Sequence, residues 1–72
     1  MDIRRILAAN VRRYRRDKGL SQEGLAFACN IHRTYISGVE RAVRNPTVTV
    51  IAKIAAALEV GPDALLAGPE GE

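Results

Sequence analysis

Ile3, Leu7, Val11 and Tyr14 recur at spacings of four, four and three, which sets them on one stripe of a helix. Asp2 suits an N-cap and Gly19 a left-handed stop, so the pattern predicts a helix from Ile3 to Lys18. From Leu20 onward one start signal repeats: an apolar residue, a capping residue, and a second apolar residue five positions after the first. Such pairs are hydrophobic staples, which fix the angle at which the chain enters a helix. Leu20 and Leu25 flank Ser21, Ile31 and Ile36 flank His32, and Val60 and Leu65 flank Gly61, with Pro62 in the favoured first helical position. A fourth start falls at Thr47, leading into Ile51, Ile54, Ala55 and Leu58 on one face. The expectation is five helices joined by very short turns. No internal repeat, strand alternation or low-complexity tract interrupts them. Residues 1–66 then form one domain, and 67–72, rich in Gly and Glu, a flexible acidic tail.

Composition narrows the fold class. A chain of 72 residues holds one domain, and a hydrophobic share of 47% supplies a small core. With no Trp, one Phe and two Tyr, that core is built from Leu, Ile, Val and much Ala. Ala suits helices far better than strands, so the class is all-α. Phe27 and Tyr14 are assigned to the core. Cys29 has no partner for a disulfide and no leader pattern opens the chain, which points to the cytoplasm. The longest nearly apolar stretch, Val48 to Val60, is broken by Thr49, Lys53 and Glu59 and falls short of the roughly 20 residues of a membrane span, so no membrane partner is expected.

Charge is segregated along the chain. All eleven Lys and Arg lie at or before Lys53, against only Asp2, Asp17, Glu23 and Glu40; after it come Glu59, Asp63, Glu70 and Glu72 with no base. A basic block with an acidic end is a footprint of nucleic-acid binding, although solvated helix faces give the same pattern.

Only Asn30, Ile31 and His32 separate the second predicted helix, about Ser21 to Cys29, from the third, about Arg33 to Arg41. Helices joined so tightly cross steeply and need a small residue where the backbones meet, which Ala26 supplies. Asn30 is among the few residues besides Gly that enter the left-handed region readily. Leu25, Ile31, Ile36 and Val39 then face inward. Arg33, Thr34, Ser37 and Gly38 face outward, a small, polar and cationic set.

Residues 11 to 66 resemble the helix-turn-helix domain of the Cro and phage-repressor type, the XRE family. The resemblance rests on Ser21-Gln22-Glu23, Leu25-Ala26, the Asn30-Ile31 turn, Ile36-Ser37, Val39-Glu40-Arg41, Asn45-Pro46-Thr47, Leu58 and Leu65-Leu66. The run Arg33 to Arg41 is similar to the controller proteins of restriction-modification systems. The resemblance implies a compact five-helix fold with the third helix lying in the major groove. It implies base reading by Arg33, Thr34 and Ser37, contacts to the backbone or base steps by Gln22, Tyr35, Arg44 and Asn45, and a structural ion pair between Arg15 and Glu40. Gly24 departs from the family in lacking the acid of a capping box, and Gly38 gives no side chain where some relatives read a base. Ala42 and Glu59 stand where Gly usually ends a helix, which implies strained ends or another geometry.

Other chemistries fare poorly. Cys29 and His32 are too few for a closed zinc site, and neither has an acid to orient a nucleophile, so no metal, cofactor or enzyme activity is expected. Cys29 reads as a core filler. The arginines of the first helix read as mostly solvated, with Arg4, Arg5 or Arg12 as possible phosphate contacts. Val50, Ala56, Ala57 and Val60 are left apolar if the other side of helix 4 faces the core, and they are assigned to a homodimer interface. With the chain ending after helix 5, no small-molecule sensor is expected. The expected function is a homodimeric, sequence-specific regulator of transcription on palindromic double-stranded DNA, with RNA polymerase as a further candidate partner. The rivals are a protein-interaction module, such as an antitoxin-like partner on the same fold, and a non-specific binder of RNA or DNA.

Overall fold

A computed structural model describes residues 2–68 and contains five helices: α1 (Ile3–Asp17), α2 (Gln22–Cys29), α3 (Arg33–Glu40), α4 (Val48–Leu58) and α5 (Pro62–Leu65). No strand occurs among the described residues. Every helix starts where a cap was expected. The side chains of Asp2, Ser21, His32 and Thr47 accept from the backbone N–H groups of Arg4, Gly24, Thr34 and Val50, while Gly61 opens α5 ahead of Pro62 without a side-chain cap. Gly24 removes only half of the capping box, because Ser21 Oγ still accepts from the Gly24 N–H at 2.9 Å.

One device builds all four junctions. Each turns on a single left-handed residue: Gly19, Asn30, Ala42 and Glu59, with φ between 57° and 73°. The next residue is apolar each time, and its N–H donates to the carbonyl five residues back, from Leu20 to Arg15, Ile31 to Ala26, Val43 to Gly38 and Val60 to Ala55, at 2.9 to 3.0 Å. This is the six-to-one bond of the Schellman motif, which satisfies carbonyls the helix end would leave orphaned. Leu20, Ile31 and Val60 then pack against the core and staple the following helix, so one side chain closes one helix and aims the next. The ends at Ala42 and Glu59 are therefore strained Schellman ends, since a Cβ in this region costs about 1–2 kcal/mol.

The core holds Leu7, Val11, Leu25, Ile36, Val39, Ile54, Leu58 and Leu65, with Ala26, Cys29 and Ala55 in the narrow places. Burying each large aliphatic side chain stabilises by about 1.5–3 kcal/mol. α3 packs on α1 and α2, α4 on α2 and α5, and α5 on α1 as well. Cys29 is a core filler whose thiol donates to the Leu25 carbonyl at 3.1 Å, and burial raises its pKa. Two expectations fail. Phe27 is 89% exposed and Ile3 47% exposed. Phe27 follows buried Ala26 on α2, on a face that no other helix covers, and Ile3 sits at the open first turn of α1. Asn10, halfway along α1, donates to the carbonyls of Leu65 and Ala67 at 2.9 and 3.0 Å and so holds the end of α5. Of the expected acidic tail, only Ala67 and Gly68 are described; residues 69–72 lie outside the described residues.

Candidate nucleic-acid interface

The turn between α2 and α3 presents the first turn of α3 to solvent. Arg33 and Thr34 are exposed and Ser37 is half-buried, while Ile36 and Val39 on the opposite face are sealed in the core. The alternation follows from helical period: 33, 34 and 37 share a face, and 36 and 39 share another. Ser37 Oγ accepts weakly from Arg41 Nε at 3.4 Å, so Arg41 extends the same cationic face.

Glu40 fixes α3 from behind. It is the buried charged residue of the core region, 3% exposed, and its carboxylate accepts from Arg15 Nε at 2.6 Å and Arg15 Nη2 at 3.0 Å. The Arg15 pKa is raised, first by that hydrogen bond. Gln22 Nε2 donates to the same carboxylate at 3.0 Å, and the Arg12 guanidinium donates to the Glu40 backbone carbonyl. One acid thus ties α1, α2 and α3 together, and no buried side-chain polar atom among the described residues lacks a partner. Gln22, which the family resemblance makes a phosphate contact, and Arg12, read as mostly solvated, both carry bonds that shape the domain. The second Nε2–H of Gln22 and the remaining guanidinium donors of Arg12 are left to donate to a ligand.

Arg44 and Asn45 are both exposed in the corner between α3 and α4. Arg44 does not hang free, because its guanidinium carbon lies 5.3 Å from the centre of the Tyr35 ring. Tyr35 is half-buried and packs partly on the core, which makes it a firm platform. Gly38 is not an empty reading position. A Cβ built there would meet Arg44 Cγ at 2.6 Å, so the Arg44 stem crosses α3 at that point. Sequence reasoning missed this contact, since it depends on the path of the corner rather than on helical spacing. A basic cleft of about 580 Å3 opens behind the corner, lined by Arg4, Arg5, Arg12 and Arg41 together with Asp2 and Glu40. Arg4 pairs with Asp2 at 3.3 Å.

Of the residues assigned to a dimer, Ala56 is exposed, while Val50, Ala57 and Val60 are half-buried against the molecule's own core. No group of three or more metal-ligating side chains occurs among the described residues, and no helix among them is long and apolar enough to cross a membrane.

Two short helices, α2 and α3, joined by the three-residue turn Asn30 to His32, with small polar and cationic residues on the exposed start of the second, form a helix-turn-helix. The family model described as helix-turn-helix, HTH_3, matches residues 11–65, and the chain belongs to that family of DNA-binding transcription regulators. Control protein C.SmaI of Serratia marcescens is 50% identical over 66 residues, which are 92% of this chain and 79% of that protein. The crystal structure of the hypothetical transcription factor NHTF from Neisseria superposes with a TM-score of 0.93 at 48% identity, covering 96% of this chain and 79% of that one. The restriction-modification controller protein C.Esp1396I, solved as a tetramer in complex with its natural 35 base-pair operator, matches with a TM-score of 0.83 at 35% identity, over 90% of this chain and 86% of that one.

Proposed function

We propose that the protein regulates transcription by binding a palindromic operator as a homodimer, in the manner of a restriction-modification controller. The observation that carries this reading is the exposed Arg33-Thr34 turn of α3, held rigid from behind by Glu40. A braced helix offers its exposed side chains to base edges from a fixed backbone position, which favours specific over merely electrostatic binding. Arg33 reads guanine through its planar fork, Thr34 and Ser37 add hydroxyl or methyl contacts, and Arg44 and Asn45 hold phosphates. Gln22 and Tyr35 complete the backbone and step contacts from the two helix starts. The dimer buries the exposed Ala56 and the half-exposed edges of Val50, Ala57 and Val60, and RNA polymerase is then excluded or engaged according to where the operator lies. The likeness to a relative solved as a tetramer on its operator supports the same reading.

Selection of bound duplexes from a random pool tests it. A symmetric consensus is the expected result; recovery of no preferred sequence overturns it. A second reading as a protein-binding module is favoured by one observation, the 89% exposure of Phe27 beside a cleft lined by Ala26, Asn30, Ile31 and His32. Absence of enrichment together with a co-purifying protein would favour that reading.

A further inference from the structure

We propose that Gly38 is a positioning residue for DNA recognition: its missing side chain leaves a notch in α3 that seats the Arg44 stem and delivers the Arg44 guanidinium onto Tyr35. The proposal rests on the reading of α3 as the DNA-facing helix. Three observations meet at the notch. A Cβ at residue 38 would lie 2.6 Å from Arg44 Cγ and 3.2 Å from Arg44 Nε, well inside van der Waals contact. Gly38 is itself buried, in a helix whose neighbours Ser37 and Arg41 remain open to solvent at least in part. The Arg44 guanidinium reaches the Tyr35 ring at 5.3 Å, within the range of a cation–π contact.

The corner geometry explains why this arginine returns to the helix it follows. Ala42 turns the chain through the left-handed region, and the Val43 N–H closes on the Gly38 carbonyl at 3.0 Å. The backbone therefore doubles back over residue 38, and the next side chain falls into the space that Gly38 leaves. Gly38 does not need glycine for its own backbone, since its φ is not positive. What requires glycine is the close approach of the Arg44 stem. An arginine on a free loop would lose much rotamer freedom on binding a phosphate, whereas one already seated in the notch and stacked on Tyr35 loses less.

Gly38→Ala separates this role from a structural one. Alanine is the better helix former, so a glycine that only completes α3 predicts equal or higher thermal stability with unchanged DNA binding. The seat predicts equal or higher stability with affinity for the selected operator reduced about tenfold per half-site, the same order as the loss in Arg44→Ala. The double variant Gly38→Ala/Arg44→Ala should bind no more weakly than Arg44→Ala alone, because the alanine acts only through the arginine. Binding by Gly38→Ala equal to wild type, or independent losses that multiply in the double variant, would overturn the proposal. A readout without DNA keeps the seat separate from the function: Tyr35 ring-current shifts on the Arg44 side-chain protons should be present in the wild type and collapse in Gly38→Ala. Their persistence in Gly38→Ala overturns the proposal even if the wild type selects no operator.

Discussion

Arg15 and Glu40 meet fork to fork, with Arg15 Nε and Nη2 at 2.6 and 3.0 Å from the two carboxylate oxygens and side chains only 11% and 2% exposed. Removing one member of such a pair leaves a buried charge uncompensated, and Gln22 and Arg15 would lose an acceptor together. Glu40→Ala should destabilise the fold by about 3–5 kcal/mol in denaturant titration. Glu40→Gln keeps the shape and part of the hydrogen bonding and should cost less. Equal stability of Glu40→Ala and wild type would show that the pair does not brace α3.

Arg33 should carry the largest share of base discrimination. Arg33→Ala is expected to weaken binding to the selected operator by about 1–3 kcal/mol per half-site and to relax the preference at one base pair. Arg44→Ala should weaken operator and scrambled duplexes by about the same factor, as a phosphate contact does. Both are read by competition binding. Equal losses on both duplexes for Arg33→Ala would make Arg33 a backbone contact.

Affinity should fall steeply with salt. If a dimer neutralises about six phosphates through Arg44 and arginines of α1, the log-log slope should lie near −5. Fluorescence anisotropy over a salt series measures it, and a flat line would remove the electrostatic part of the reading.

A two-fold dimer sets the recognition helices about 34–36 Å apart, one turn of B-DNA. Ala56 is exposed in the folded chain, so Ala56→Glu should leave the core intact while shifting sedimentation from dimer to monomer and weakening operator binding. A wild type that sediments as a monomer both free and on DNA would count decisively against the dimer.

Lys18 Nζ lies 2.9 Å from Glu59 Oε1, and this hydrogen bond, backed by the charge, lowers the Glu59 pKa below its ordinary 4.5. The folded value lies under the unfolded one, so the contribution to stability is present above about 4.5 and is lost as pH falls through the folded value. Carboxyl NMR titration should show a midpoint under 4.5 that returns toward it in Lys18→Ala. An unmoved midpoint in that variant would assign the shift to another cause.

Much of the fold was legible in advance because its signals are local. A cap such as Ser21 or Thr47 and a staple such as Ile31 with Ile36 act within a few residues, and so they survive as sequence spacing. The exposed Arg33-Thr34 turn was legible for the same reason, since helical period alone assigns its face. Phe27 was misplaced because burial depends on which helices cover a face, and nothing within α2 encodes that α3 and α4 leave this one bare. The bonds of Gln22 and Arg12 to Glu40 form only when α1, α2 and α3 pack together, and Arg44 meets Gly38 only when the corner after α3 closes, so sequence spacing shows none of them.

The four left-handed junctions bear on how long the molecule survives. Gly19 is the sole glycine among them, and Asn30, Ala42 and Glu59 hold the same geometry against a steric cost that glycine would relieve. Ala42→Gly alone should stabilise by about 0.5–1 kcal/mol, the usual gain where a left-handed residue loses its Cβ net of the extra freedom of the unfolded chain. In a cell the fraction unfolded governs exposure to proteases, and a shift of about 1–2 kcal/mol changes abundance several-fold. The corners that fold the chain thus also hold its stability below what the same backbone path would allow with glycine at each bend.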